Sequence, residues 1–253
     1  MTTFAPRMTF EKIHLEETDS TNHWLKEHDD GRDLVAWTDY QTAGRGSGTN
    51  TWESERGQNL LFSMLIHPVS LKPTEQFRIS MAISLAIVHA LQPLTSLTIK
   101  WPNDIYWNDR KLCGILIENS LTGYYIRQSI IGVGLNVNQT VFLSDAPNPV
   151  SLRQITGKNH DCEELLDSII SSFTLDINPF DYRSLLYRQE GFHPYRDRQG
   201  DFEARLKTVE DDGHLLLQDR QERLRRYAFK EVEFRILGKP SEEVRGGIAE
   251  YKV

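Results

Sequence analysis

The residues best suited to chemistry lie in two short motifs that together carry two lysines, an amide and a carboxylate. These are Lys100-Trp101-Pro102-Asn103-Asp104 and Lys111-Leu112-Cys113-Gly114, and apolar, strand-like stretches flank them. An asparagine amide can hydrogen-bond an adenine edge, and an aspartate can accept a proton or hold Mg²⁺. This set could handle an anionic, phosphate-bearing intermediate. Taken in isolation, these residues are more simply an Asn-Asp turn, with Lys100 and Lys111 as solvated surface charges.

Two further segments carry glycines in patterns that suit a ligand. In Gln41-Thr42-Ala43-Gly44-Arg45-Gly46, the glycines let backbone N–H groups approach an anion, and Arg45 adds a charge. The spacing fits neither a Walker loop nor a dinucleotide fingerprint, which excludes P-loop kinases and Rossmann dehydrogenases. In Gly132-Val133-Gly134 the glycines alternate along an apolar strand and share one face. A flat ligand could lie there, although close packing against a helix is the other interpretation.

Composition limits the classes of function. The chain has 253 residues and a net charge of −7, which argues against nucleic-acid binding through bulk electrostatics. Its two cysteines, Cys113 and Cys162, are too few for a disulfide scaffold and predict a reducing, cytoplasmic compartment. No apolar run approaches the roughly 20 residues of a membrane span. The first residues, MTTFAPRMTFEK, lack the apolar core of a signal peptide.

Hydrophobic patterning predicts an α+β fold in two parts, a catalytic domain over 1–194 and a small β domain over 195–253. The segment Ser20-Thr21-Asn22, followed by His23-Trp24-Leu25, is expected to cap and open a short helix. Apolar periodicity predicts longer helices over 77–91, 161–175 and 179–190, and strands over 34–38, 59–67, 97–101, 114–118 and 124–137. After about residue 195 short alternating runs predict a small β-barrel, with a hairpin turn at Asp211-Asp212-Gly213. Residues 238–253 carry no clear pattern.

The motifs resemble, in their order and spacing, those of biotin protein ligases (biotin–[acetyl-CoA-carboxylase] ligases). The matching segments are Thr18–Asn22, Gln41–Gly46, Lys100–Asp104, Arg110–Leu116 and Gly132–Asn136. The tail near 227–232 looks like the small SH3-like C-terminal domain of that family. The resemblance therefore implies the class II synthetase-like biotin/lipoate ligase fold, with a central mixed or antiparallel sheet flanked by helices.

The resemblance also implies a two-step reaction and a role for each matching residue. Biotin and ATP would form biotinyl-5′-AMP with Mg²⁺ shielding the phosphates, and a lysine of a biotin carboxyl carrier protein would then take the biotinyl group. The expected catalytic residues are Lys111, Arg45 and Asp104, with Asp104 deprotonating the incoming lysine or contacting Mg²⁺. The expected biotin-binding residues are Ser20, Thr21, Asn22, Gln41, Gly44, Arg45, Gly46, Lys111, Gly114, Gly132 and Gly134. The expected adenylate-binding residues are Trp52, Lys100, Asn103, Lys111 and Asn136.

The chain departs from the family pattern after Gly46. The family usually continues with one or two more arginines, whereas this chain continues Ser47-Gly48-Thr49-Asn50-Thr51-Trp52. One hypothesis is that the intermediate is held less tightly; another is that a different cation, such as Arg56, compensates. A biotinyl-AMP off-rate equal to that of ligases with the full arginine run would contradict weaker retention.

The sequence also limits the partners and the alternative functions of the chain. About 17 residues precede the first motif, too few for the helix-turn-helix domain of repressor-type relatives, so we expect no DNA binding. A homodimer through sheet edges is compatible with the family. The alternatives are a lipoate ligase or octanoyltransferase, which a biotin–lipoate competition would reveal, and a non-catalytic biotin-sensing module. Lys111 and Asn103-Asp104 argue against the sensing module, because a pure biotin binder needs no adenylate side.

Overall fold

The larger of two sheets carries three of the five motifs, those at Lys100–Asp104, Arg110–Leu116 and Gly132–Asn136. The computed structural model describes residues 8–46, 48, 50–143 and 148–236. The sheet has the order β1-β2-β3-β7-β6-β5-β4, and only β1 and β2 pair in parallel among these neighbours. This confirms the predicted mixed sheet. Its strands are β1 (Glu11–Leu15), β2 (Leu34–Thr38), β3 (Leu60–Ile66), β4 (Thr98–Lys100), β5 (Asp104–Trp107), β6 (Arg110–Thr122) and β7 (Tyr125–Leu135).

Helices cover the two faces of this sheet unequally. The first-domain helices are α1 (Thr21–Glu27), α2 (Phe77–Leu91), α3 (Leu152–Thr156), α4 (Cys162–Ser172) and α5 (Pro179–Ser184). Helix α2 is apolar on nearly every face and packs with α4 over one side of the sheet, in the main core. On the other side, a smaller cluster joins Leu25 of α1 to the buried strand residues Leu34, Ala36, Leu65 and Ile130. The rest of that second face is left to loops, and it carries the candidate site.

The second sheet is the predicted SH3-like domain. It consists of β8 (His193–Asp197), β9 (Gly200–Val209), β10 (Leu215–Asp219), β11 (Leu224–Tyr227) and β12 (Glu233–Phe234), and its order is β11-β10-β9-β8-β12 with all neighbours antiparallel. The hairpin turn at Asp211–Gly213 is confirmed, since Gly213 has a φ of +92° and its N–H donates to the Glu210 carbonyl at 2.9 Å. The Trp101 indole of the first domain donates to the Gly213 carbonyl at 2.9 Å, so this hairpin touches the strand end before Asn103.

Two helix predictions need correction. The predicted helix 161–175 ends at Ser172, and the predicted helix 179–190 ends at Ser184. The chain leaves α5 because it pairs with β4: Ile99 donates to the Leu185 carbonyl at 2.7 Å, and Tyr187 donates to the Ile99 carbonyl at 2.9 Å. Residues 238–253 lie outside the described residues. No helix in the described ranges combines the length and apolar character that crossing a membrane requires.

Candidate active site

The floor of the site is one face of β3, β7 and β6. Because side chains alternate along a strand, Gly132 and Gly134 of β7 share the face that α1 partly covers. In register, Gly132 lies opposite Ser63 of β3, and Gly134 lies opposite Gly114 of β6. The three glycines therefore form a strip without side chains, as the alternating sequence predicted.

Side chains from elsewhere in the chain occupy the space over this strip. A Cβ atom on Gly132 would lie 2.9 Å from Cγ of Asn22, and one on Gly134 would lie 2.6 Å from Nε1 of Trp52. A Cβ on Gly114 would lie 2.8 Å from the same indole. The flat group over Gly114 and Gly134 in this structure is thus the Trp52 side chain, while Asn22 covers Gly132.

A buried hydrogen-bond network marks the Gly132 end. Ser20 caps α1 by position, and the next two residues, Thr21 and Asn22, are buried at its first turn. Ser63 donates to Asn22 Oδ1 at 2.6 Å, and the Ser63 and Thr21 hydroxyl oxygens lie 2.6 Å apart. The Thr21 backbone N–H donates to the Gln41 side-chain carbonyl at 2.8 Å. Three of the predicted biotin-side residues, Thr21, Asn22 and Gln41, are thereby held together.

Glu118 ties this network to the glycine-bearing loop. Its Oε2 accepts from Asn22 Nδ2 at 2.7 Å and from Arg45 Nη2 at 3.0 Å. Sequence reasoning missed Glu118, although a signal existed, because it lies four residues after Gly114 on the same strand face. Its carboxylate fixes which way the Asn22 amide points, since only the NH₂ group can donate to it.

The glycine-bearing loop folds back on itself in a narrow hairpin. Trp52 N donates to the Gly44 carbonyl at 3.0 Å, Gly46 N donates to the Asn50 carbonyl at 2.7 Å, and Arg45 and Thr51 form an isolated bridge. A Cβ on Gly44 would lie 2.9 Å from the Trp52 carbonyl oxygen, so the close crossing requires glycine. Ser47 and Thr49 lie outside the described residues.

Arg56, the suggested substitute cation, has its contacts outside the glycine-bearing loop. Its guanidinium is ion-paired with Glu17, and it lies over the Tyr40 ring at 4.8 Å. The hypothesis that Arg56 compensates is therefore not supported by its contacts.

Lys111 and Asp104 form an ion pair at the other end of the strip. Lys111 Nζ lies 2.9 Å from Asp104 Oδ1, and both side chains are about three-quarters buried, at 27% and 22% exposed. The pair is possible because Asp104 begins β5 and Lys111 lies on the neighbouring β6. Lys111 Nζ also lies 5.9 Å from the centre of the Trp52 ring. The Lys111 amine therefore lies within 6 Å of both a carboxylate and an aromatic ring.

The other adenylate-side candidates are distributed around this pair. Asn103 is buried in the turn between β4 and β5, next to Asp104. The ammonium of Lys100 lies 5.0 Å from the Phe234 ring and 5.5 Å from the Tyr106 ring, and burial lowers its pKa. Asn136 is buried too, but its amide donates to the Val150 carbonyl at 3.1 Å, which anchors backbone. The Trp52 indole N–H is buried and has no acceptor within the described part of the chain.

Comparisons with known proteins place the chain in a family. Residues 15–136, which include every predicted site residue, match the model of the "Biotin/lipoate A/B protein ligase family". The chain is 32% identical over 169 residues to the biotin–[acetyl-CoA-carboxylase] ligase of Paracoccus denitrificans, covering 63% of this chain and 70% of that protein. It is 30% identical over 229 residues to the bifunctional ligase/repressor BirA of Bacillus subtilis, and this match covers 81% of this chain and 67% of that protein.

The chain belongs to the biotin protein ligase family. A solved structure, the biotin protein ligase of Aquifex aeolicus in complex with biotin and ATP, superimposes with a TM-score of 0.73. That match has 25% identity and covers 88% of this chain and 98% of the other. The predicted fold class, with its C-terminal SH3-like β domain, is therefore confirmed for this family member.

One cluster of carboxylate and imidazole groups among the described residues lies on the second sheet, outside the glycine strip. Within the described ranges, the only group of three candidate metal ligands is Glu210, Asp212 and His214, in the β9–β10 hairpin. Arg226 pairs with both carboxylates of that group, at 2.6 and 2.7 Å, so their charge is already offset. The candidate site itself offers one carboxylate beside Lys111, namely Asp104.

Proposed function

We propose that this protein is an ATP-dependent ligase that activates biotin as biotinyl-5′-AMP and transfers it to a lysine of a biotin carboxyl carrier protein. The observation that carries the proposal is the glycine-floored strip, with a buried network of hydroxyls and amides at one end and the Lys111–Asp104 ion pair at the other. A molecule with a polar ring at one end and an activated carboxylate at the other fits such a strip.

The polar network suits the ureido ring of biotin. Thr21, Asn22 and Gln41 present a hydroxyl and two amides that are held by contacts with one another and with Ser63, and Ser20 adds a buried hydroxyl beside them. A ureido group both donates and accepts hydrogen bonds, so a fixed set of neutral partners can recognise it without a net charge. Gly132 leaves room beside Asn22, and the apolar strand residues supply walls for the rest of the molecule.

The opposite end suits the reaction between two anions. The biotin carboxylate attacks the α-phosphorus of ATP, a mixed anhydride forms, and pyrophosphate leaves. Lys111 and Arg45 would offset the repulsion between carboxylate and phosphate, and Gly44 and Gly46 would let the loop backbone approach the intermediate. The Trp52 indole N–H, buried without an acceptor among the described residues, is a donor available to a ligand. Lys100, Asn103 and Asn136 complete the proposed adenylate side.

Mg²⁺ enters the proposal as a companion of ATP. Among the described residues, both carboxylates of the site are already paired, Asp104 with Lys111 and Glu118 with Arg45, so they do not form a cage for a metal. We therefore place Mg²⁺ on the ATP phosphates, where it would reduce their charge, with Asp104 as the single candidate protein contact.

The second step transfers the biotinyl group. The carrier lysine attacks the carbonyl carbon of the anhydride, an amide forms, and AMP leaves. A lysine amine is almost fully protonated near neutral pH, so a base must remove a proton, and we assign that role to Asp104. A cytoplasmic location, a homodimer and the absence of DNA binding stay predictions.

The test is biotin transfer to a purified carrier domain. The protein is incubated with ATP, Mg²⁺ and equal concentrations of biotin, lipoate and octanoate, and the modified carrier lysine is identified by mass spectrometry. The proposal predicts biotinyl-lysine and no other acyl product. Lipoyl- or octanoyl-lysine would favour the lipoate branch, and tight biotin binding without any product would favour a sensing module. Asp104→Asn is expected to slow transfer more than adenylate formation.

A further inference from the structure

A turn of the second sheet holds a lysine in a backbone conformation that is unfavourable for it. Lys230 lies between β11 and β12, in a turn closed by the Glu231 N–H donating to the Ala228 carbonyl at 3.1 Å. Its φ is +70°, a value that glycine adopts freely and a lysine does not. A retained unfavourable backbone conformation is a reason to ask what the side chain does.

The Lys230 side chain reaches the glycine-bearing loop of the first domain. Its ammonium lies 3.4 Å from the position of a Cβ atom on Gly48. Phe229, beside it, lies 5.6 Å from the ammonium and packs edge-on against Trp101, with ring centroids 6.2 Å apart. The turn thus lies between the loop that carries Trp52 and the strand end that precedes Asn103 and Asp104.

The charge of Lys230 is available to an anion. Arg45 pairs with Glu118 and Lys111 pairs with Asp104, whereas no carboxylate in the described ranges pairs with Lys230. The Lys230 side chain is exposed, and the loop residue that its ammonium approaches, Gly48, has no side chain to pair with it. An unpaired ammonium beside the proposed nucleotide end can attract polyphosphate by charge.

We propose that Lys230 is a phosphate-binding residue that the second sheet contributes to the ATP site, where its ammonium contacts the polyphosphate. The inference rests on the proposed function, because it takes ATP to be the nucleotide bound beside Lys111. It makes the turn at 228–231 part of the site wall, together with Phe229 against Trp101. An acidic carrier surface is the competing partner for the same charge, and the orientation of the ammonium toward Gly48 favours the nucleotide.

Four variants distinguish the effect of the Lys230 charge from the effects of its backbone conformation and of losing any lysine from this sheet. Lys230→Met removes the charge and keeps the length; Lys230→Arg keeps the charge; Lys230→Gly removes the charge and relieves the positive φ. Lys207→Met, on an exposed position of β9, is the matched control for losing one lysine from this sheet. Biotin-dependent ATP–pyrophosphate exchange gives KM for ATP, calorimetry gives the Kd for biotin, and carrier titration gives KM for the carrier.

We expect Lys230→Met and Lys230→Gly to raise KM for ATP about tenfold, the size expected for one lost charge-assisted contact. Lys230→Arg and Lys207→Met should stay within about twofold of the wild type, and the Kd for biotin should not change in any variant. Raising the salt concentration should increase KM for ATP more in the wild type than in Lys230→Met. Lys230→Gly should melt at or above the wild-type temperature, because glycine removes the strain.

Three outcomes would overturn the inference. An unchanged KM for ATP in Lys230→Met would show that the ammonium does not bind nucleotide. A rise in KM for the carrier alone would assign the charge to the carrier. An equal rise in KM for ATP in Lys207→Met would show that the rise is not specific to Lys230. Absence of exchange in the wild type would instead count against the proposed function, and calorimetric binding of α,β-methylene-ATP to wild type and Lys230→Met would then test Lys230 by itself.

Discussion

Adding one methyl group at Gly134 is expected to damage the nucleotide end of the site without unfolding the protein. The new Cβ would lie 2.6 Å from Nε1 and 2.8 Å from Cδ2 of Trp52, whereas carbon contacts in proteins are normally about 3.5 Å or more. The indole must therefore move by roughly 1 Å. A displacement of that size at a reacting site can cost about 100-fold in rate, or about 2.7 kcal/mol. Trp52 lies in a loop outside the core, so stability should change by less than about 1 kcal/mol.

Gly132→Ala is the matched variant, since it makes the same change two residues away on the same face. Its Cβ would lie 2.9 Å from Cγ of Asn22, within the network that also includes Ser63 and Glu118. Losing satisfied contacts of a buried amide costs about 1–3 kcal/mol. We therefore expect Gly132→Ala to raise the Kd for biotin by about 10- to 100-fold and to lower the melting temperature.

The assay measures kcat and KM for ATP by pyrophosphate exchange and the Kd for biotin by calorimetry for both variants. A double-mutant cycle with Trp52→Ala then isolates the proposed clash. Gly134→Ala should cost little in the Trp52→Ala background, because the indole that it displaces is gone. The reasoning is refuted if Gly134→Ala costs the same in both backgrounds, or if the two glycine variants affect biotin and ATP alike.

Three further predictions concern charged groups. Glu118→Ala leaves the Asn22 amide without its acceptor and should weaken biotin binding about tenfold by calorimetry, whereas Glu118→Gln, which keeps a carbonyl acceptor, should lose at most about threefold. Burial lowers the pKa of Lys100, so the wild type gains stability as pH rises toward the ordinary value of 10.5. Lys100→Met should be at least as stable as the wild type in urea at pH 7, and its advantage should shrink by pH 10. Although burial acts to raise it, hydrogen bonds from Arg225 and Arg223 lower the pKa of Asp219 to about 2. Asp219→Asn should lower the melting temperature at pH 7, and this difference should disappear as pH falls from 3.8 toward 2.

The sequence predicted the parts of the fold that bury long apolar runs. Strand β3 is buried along its whole length and α2 is apolar on most faces, so neither depends on a distant partner to be recognised. Strand β1 was not predicted, because it is a partly exposed edge strand with charged residues. Strand β5 is only four residues long and follows a turn, and the end of α5 depends on pairing with β4. Local patterns do not encode such pairings.

Some residues of the candidate site could be predicted from local sequence patterns, and others could not. The ordered motifs indicated the Lys111–Asp104 end and the α1 residues, because these lie in contiguous segments with distinctive spacing. The contacts of Glu118 and Lys230 depend on how distant segments meet, which no local pattern encodes. Nor could the sequence indicate that the indole of Trp52 lies over Gly114 and Gly134, since that placement depends on the path of the loop.

The most direct test of the account is biotin-dependent ATP–pyrophosphate exchange by the wild type beside Lys111→Ala. The account predicts exchange that requires biotin, is not supported by lipoate, and falls by at least about 100-fold in Lys111→Ala, because the ammonium beside Asp104 offsets the charge of carboxylate and phosphate. Exchange that persists in the variant, or that never depends on biotin, would contradict it.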